Sequence, residues 1–168
     1  MIKNRRSIRT YKNQELPDEL IAKLVEAARL APTAGNVQPF HLVIVKTEKN
    51  RQQLSEATRN QKSLLEAPVV IVVCADEEAA ENRYGVRGKK LYCLQDTAAV
   101  TQNILLAACA LGLGTCWVGA FDEGAIKKVI NAPKNIRPVA LIPIGYPNEV
   151  PEARSIKPVD EIVHEETF

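Results

Sequence analysis

Aromatic residues are scarce in this chain: 5% of 168 residues, with one tryptophan, alongside a single methionine. Sequence-reading proteins of nucleic acid need an extended basic face with stacking aromatics, so that class is a poor fit. Charge of one sign is also missing. The 22 lysines and arginines stand against 20 acids, a net +2, and the molecule as a whole is no polyanion binder. No apolar run approaches the roughly 20 residues of a membrane span. Cys74, Cys93, Cys109 and Cys116 show no C-x-x-C spacing and lie in apolar or helical stretches. They read as reduced thiols in or near a core. His41 and His164 are far apart and lack ligand-type neighbours, so no metal site is expected. The opening Met-Ile-Lys-Asn-Arg-Arg runs into no apolar stretch. No signal peptide is expected, and the expected compartment is the cytoplasm.

What is present is ordinary globular material, 46% hydrophobic and 25% charged, in a length that suits one domain. Residues 18–31 carry Leu20, Ile21, Leu24, Val25, Ala28 and Ala31 at helical steps behind Pro17 and Asp18. The segment 31–39 then breaks the pattern with two prolines and a glycine. His41–Val45 reads as a strand, 48–66 as a polar helix, and Pro68–Ala75 as a strand buried on both faces. Residues 77–90, polar and carrying Arg83, Arg87, Lys89 and Lys90, read as a mobile loop or short helix. Leu94–Leu111 is apolar nearly all round, the pattern of a central buried helix, closed by Gly112 and Gly114. Thr115–Gly119 and Val139–Ile144 read as strands, and Asp122 as the cap of a short helix to Ile130. Residues 146–168 show little apolar periodicity and suit wrapping around a second subunit. Strands and helices mixed in this way give α+β or α/β with one sheet.

Charge is unevenly spread. Residues 1–12 hold Lys3, Arg5, Arg6, Arg9 and Lys12 and no acid, whereas 149–168 hold six acids against Arg154 and Lys157. Arg5-Arg6-Ser7-Ile8-Arg9 puts three guanidiniums and a hydroxyl in five residues. That set suits phosphate, because arginine forks match phosphate oxygens bidentately, although a merely solvated basic start reads the same way. Gly112-Leu-Gly-Thr-Cys-Trp-Val-Gly119 follows a helix and precedes a strand, the reverse of the Rossmann order, so that fingerprint is rejected. No G-x-S-x-G, H-E-x-x-H or Walker loop occurs, and no histidine lies near a serine or cysteine nucleophile. Phosphate and planar-ring recognition without acid–base machinery fits an enzyme whose cofactor carries the chemistry.

Four segments together resemble the FMN-dependent nitroreductase family. They are R-R-S-I-R (5–9), A-P-T-A-G-N-V-Q-P-F (31–40), the long run from Gln95 to Phe121, and I-P-I-G-Y-P (142–147). The resemblance spans essentially the whole chain and implies an α+β nitroreductase-like fold, with a mixed, mainly antiparallel sheet flanked by helices. It also implies a single FMN-binding domain over 1–168, with 146–168 wrapping the partner of an intertwined homodimer. By the same resemblance Arg5, Arg6 and Ser7 hold the FMN phosphate and ribityl chain, and Arg9 sits at the pyrimidine edge. Asn60, or Gln61 beside it, bonds that edge. Gly119 and Ala120 offer backbone amides to the central ring, with Val118 beside them in the cofactor site. Pro32, Thr33, Ala34 and Asn36 arrive from the other subunit, and Arg154 completes the phosphate site.

The implied reaction is ping-pong hydride transfer from NADH or NADPH to a nitroaromatic, quinone or other small acceptor, with no catalytic side chain. The alternatives are a specialised flavin enzyme of this fold (dehalogenase, dehydrogenase or flavin-destructase type) and a flavin-binding module without turnover. Thr33 stands where serine is common, Phe40 where tryptophan is common, and Ile156 where a second basic residue often falls, leaving Lys157 as its substitute. The segment between Asp76 and Tyr92 is short beside that of larger members, which opens the pocket and lets Arg83, Arg87 or Lys89 border it.

Overall fold

Alternation in one strand organises the molecule. In a computed structural model describing all 168 residues, β2 (Val69–Asp76) lies inside a four-stranded sheet. It pairs antiparallel with β1 (Phe40–Val45) on one side and β4 (Ile136–Gly145) on the other, and β3 (Gly114–Thr115) adds outside β4. Successive side chains of a strand point to opposite faces, so Val69, Ile71 and Val73 enter one core while Val70, Val72 and Cys74 enter another. The first face is covered by α1 (Asp18–Arg29) and α5 (Cys93–Ala110), through Ile21, Leu24, Val100 and Ile104. The second is covered by α2 (Glu48–Glu56), α3 (Ser63–Glu66) and α6 (Glu123–Val129), through Leu54, Leu64 and Ile126. This is the α+β architecture, a mainly antiparallel sheet flanked by helices, that the resemblance implies. All the ladders are antiparallel, and the parallel component is one bridge, Ser7 to Thr115. No helix is long and apolar enough to cross a membrane.

Three readings from sequence need correction, and one left open is decided. The polar helix over 48–66 is two, because Arg59 and Asn60 both take left-handed backbone (φ 57 and 59) between α2 and α3. Ser55 captures that turn: its carbonyl accepts from the Asn60 amide at 2.9 Å and from the Thr58 hydroxyl at 2.7 Å. Of the two readings for the segment after β2, a mobile loop or a short helix, the structure has the helix, interrupted at Gly85 (φ 58). In α4 (Glu77–Arg87), Asp76 caps by accepting from the Ala79 amide at 3.0 Å, and a π-turn over Gly88–Tyr92 runs straight into α5. Regular pairing at 115–119 stops after Thr115 and resumes only as a bridge between Val118 and Leu141. Finally, α5 is buried along one face only. Gln95 and Gln102 are exposed, Ala98, Ala99, Leu106 and Ala107 are half-buried, and Asp96, Thr97 and Thr101 are polar residues within the buried face.

Candidate functional site

The N-terminal segment reaches the sheet because its backbone is paired on both sides. The Ile8 amide donates to Thr115 O at 2.8 Å, the Lys12 amide to Tyr146 O at 2.9 Å, and the Asn148 amide to Thr10 O at 3.0 Å. Gly114 has no side chain because Ile8 occupies that space: a Cβ there would lie 2.8 Å from the isoleucine. The Tyr11 hydroxyl is buried 2.6 Å from Ile8 O and 3.1 Å from Pro143 O, and burial drives its pKa far above that of an ordinary phenol.

Laid down this way, Ser7 is bridged to Thr115 at the end of β3, with Arg5 and Arg6 before it and Arg9 two residues after. Arg5 and Arg6 line a pocket of about 250 Å³ with Cys109, Gly112, Thr115, Pro147 and Glu149. Burial pushes the Cys116 thiol up in pKa, while the Arg9 charge, the Ser7 hydroxyl and the Arg5 charge pull it back down and the Glu149 carboxylate adds a smaller upward push. None of the three guanidiniums is paired with a carboxylate: Arg6 donates to Lys3 O and Arg5 O, and Arg9 to Ser7 O. Glu149, a member of this pocket that sequence reasoning did not single out, accepts instead from the backbone amides of Arg9 and Thr10. Its only sequence signal was an acid just after the I-P-I-G-Y-P segment.

The chain then passes Val118, Gly119 and Ala120. Val118 is buried, with its amide and carbonyl both spent on Leu141 at 2.9 Å, so it fixes its neighbours and offers no backbone group outward. Gly119 and Ala120 are exposed. A Cβ at Gly119 would meet nothing nearer than the Trp117 indole at 3.7 Å, so packing within this chain does not require glycine there. Arg59 lines one surface depression with Ala120, where the Asp122 amide donates to Ala57 O at 2.9 Å, whereas Asn60 lines a different one with Tyr11, Ser55 and Glu66. Gln61, beside it, is half-buried, and its carbonyl accepts from the Ser55 hydroxyl at 3.1 Å.

Pro32, Thr33, Ala34 and Asn36 are elsewhere. Their loop is tied to the N-terminal end of α5, where the Ala34 amide donates to Asp96 Oδ1 at 3.0 Å. The arginine pocket includes Cys109 near the other end. Thirteen helical residues separate Asp96 from Cys109, roughly 20 Å along the axis, and none of residues 32–36 lines the arginine pocket. Arg154 lies three residues beyond Pro151, the last residue lining that pocket, and is exposed.

Asp96 itself is 6% exposed, and its second carboxylate oxygen has no hydrogen-bond partner. Burial raises its pKa above the usual carboxylate range, against the pull of the Ala34 amide. A buried acceptor without a donor costs about 1–3 kcal/mol.

Helices on both faces of one antiparallel sheet, with arginines that form no ion pair and exposed backbone at Gly119 and Ala120, make this an α+β protein. The model of the nitroreductase family matches residues 2–63 and 56–146. The chain is 38% identical over 153 residues to a protein of Archaeoglobus fulgidus with the provisional name NADH dehydrogenase/NAD(P)H nitroreductase, covering 89% of this chain and 84% of that one. It is 27% identical over 180 residues to a Bacillus subtilis FMN reductase (NADPH), covering 99% and 72%. Among solved structures, a nitroreductase family protein of Clostridium difficile superposes with a TM-score of 0.88 at 32% identity, covering 99% of this chain and 96% of that one. The chain belongs to the nitroreductase family.

Proposed function

We propose that the chain is one subunit of a homodimeric flavoenzyme that moves hydride from NADH or NADPH, through FMN, to a nitroaromatic, a quinone or a related small acceptor in a ping-pong cycle. Family membership makes it an NAD(P)H-dependent oxidoreductase. The observation that carries the finer reading is the set of three guanidiniums, Arg5, Arg6 and Arg9, on one short segment at a sheet edge, none of them in an ion pair, while the nearby Glu149 carboxylate is taken up by the Arg9 and Thr10 amides. Such a set fits a phosphate dianion carried by a larger ligand.

When bound, FMN supplies the two-electron chemistry, accepting hydride from the nicotinamide and yielding electrons to the acceptor. In this reading Arg5, Arg6 and Ser7 hold the phosphate and ribityl chain, with Arg154 as a further phosphate ligand. Arg9 sets a fixed positive charge at the pyrimidine edge, where it favours the reduced cofactor. Asn60 bonds the same edge, and Gly119 and Ala120 present amides to the ring across open backbone. Pro32, Thr33, Ala34 and Asn36 come from a second copy of the chain. Two observations support that division. The loop is held at the far end of α5 from the arginine pocket, and the tail exposes Val150, Ile156, Val159, Ile162, Val163 and Phe168. Apolar side chains left in water along an extended tail are stabilised by burial against a partner.

The test is to load the protein with FMN and add NADH or NADPH without oxygen. Loss of the oxidised flavin's visible absorbance, recovered on adding a quinone or nitroaromatic, is the expected result. Protein that binds no FMN overturns the reading, and protein that binds FMN but is not reduced is a binding module.

A further inference from the structure

The segment Thr33–Gln38 has little reason of its own to keep one shape. Gly35, Asn36 and Gln38 all take left-handed backbone (φ 53, 57 and 54), and two of them are not glycine. A side chain disfavours that region. The internal bonds of the segment are local: Asn36 N to Thr33 O, Gln38 N to Thr33 Oγ1 and Gln38 Nε2 to Asn36 Oδ1, each 3.0 Å, and Val37 N to Ala34 O at 3.2 Å. From residues 33–36 one hydrogen bond reaches another element, the Ala34 amide donating to Asp96. A wall stands opposite. The Tyr84 hydroxyl lies 2.1 Å from where a Cβ on Gly35 would be, so a side chain there would have to displace Tyr84 as well as accept a disfavoured φ. Tyr84 is itself steadied edge-on by Tyr92, with ring centroids 5.3 Å apart at 84°.

Keeping a carboxylate buried with one oxygen unpartnered is a poor way to stabilise a fold. It makes sense as a tether for a strained loop, because conformations of this kind persist only where their surroundings over-determine them. Building on the functional reading above, we propose that Asp96 is a positioning residue, with Tyr84 as the opposing wall. Together they hold Thr33–Asn36 in the shape that meets the flavin of a second copy. The geometry of that contact is then set by α4 and α5, not by the loop.

The experiment compares wild type with Asp96→Ala and Asp96→Asn on two readouts. Amide exchange at Ala34, which needs no flavin, should accelerate about tenfold or more in Asp96→Ala, the scale of losing one charge-assisted hydrogen bond. It should stay within about threefold of wild type in Asp96→Asn, whose Oδ1 still accepts. In FMN-saturated protein at saturating NADPH, flavin reduction should slow at least about fivefold in Asp96→Ala, with KM for NADPH unchanged, and recover in Asp96→Asn. Unchanged Ala34 exchange in Asp96→Ala overturns the tether. So does an asparagine variant as impaired as the alanine variant on both readouts. Wild-type protein that binds no FMN overturns the functional reading instead, and the exchange measurement still decides the tether.

Discussion

The two ends of α5 hold functional loops by different means. Near Cys109 the basic segment is woven into the sheet by main-chain bonds, Ile8 to Thr115 and Lys12 to Tyr146, with glycine at 114 to let the strands approach. Near Asp96 the loop hangs from one side chain and leans on one ring. A ladder of backbone bonds tolerates side-chain exchange, so residues 5–9 are free to specialise in charge. A side-chain tether tolerates almost none, so Asp96, Gly35 and Tyr84 are tied to one another. The comparison predicts that substitutions at the first end abolish ligand contact without disturbing the fold. Substitutions at the second end should disturb the loop before anything else.

The largest effect should come from the woven end. Arg5→Ala combined with Arg6→Ala should weaken FMN binding at least about 100-fold, because charge-assisted contacts contribute about 1.5–3 kcal/mol each. The melting temperature should barely move, since neither guanidinium is in an ion pair. Titration of FMN fluorescence beside a thermal melt checks both halves. At the tethered end, Gly35→Ala should weaken FMN binding about tenfold, from steric contact and strain at positive φ. Adding Tyr84→Phe, which removes the oxygen at 2.1 Å, should restore part of that loss but not the share due to φ.

The smallest effect belongs to a third carboxylate, one that is satisfied where Asp96 is not. Burial pushes Asp76 up, but the Ala79 amide, the Asn135 amide and His41 outweigh it, so its carboxyl titrates below the usual range. An acid depressed in the folded state adds stability above its unfolded pKa, about 3.9, that is lost as pH falls through the folded value. Thermal melts of wild type should therefore fall more steeply below about pH 4 than those of Asp76→Ala. At neutral pH that variant should be less stable by about 1 kcal/mol, the cost of a lost helix cap.

Much of this architecture was legible in the sequence because periodicity and burial agree. The run from Val69 to Ala75 is apolar at every position and is the strand with a core on both faces. Leu24 and Ala28 repeat at helical spacing and are fully buried in α1. The rest was hidden where the cause is not local. The Ala34–Asp96 bond joins residues 62 apart, and nothing near Ala34 names its acceptor. The helix at 77–87 depends on Asp76 as cap and on Gly88 packing against Ala80 O, where a Cβ would lie 2.1 Å away, so polar composition alone left loop and short helix open. Left-handed backbone at Arg59 and Asn60 carries no glycine to announce it. At the candidate site, the residue types of 5–9 announced an anion, but the separation of that segment from 32–36 could be seen only once both were attached to α5.

A complementation measurement bears most directly on the claim that two chains share each site. The Arg5→Ala/Arg6→Ala chain and the Gly35→Ala/Asn36→Ala chain, each carrying a different affinity tag, are co-expressed and the mixed dimer is purified. If arginines and loop come from different chains, one site of that dimer combines intact arginines with an intact loop, and the other carries both lesions. The mixed dimer should then bind one FMN with near wild-type affinity and be reduced by NADPH, while both parent variants bind weakly. If each chain builds its own site, both sites of the mixed dimer are damaged. A mixed dimer with no tight FMN would contradict the account.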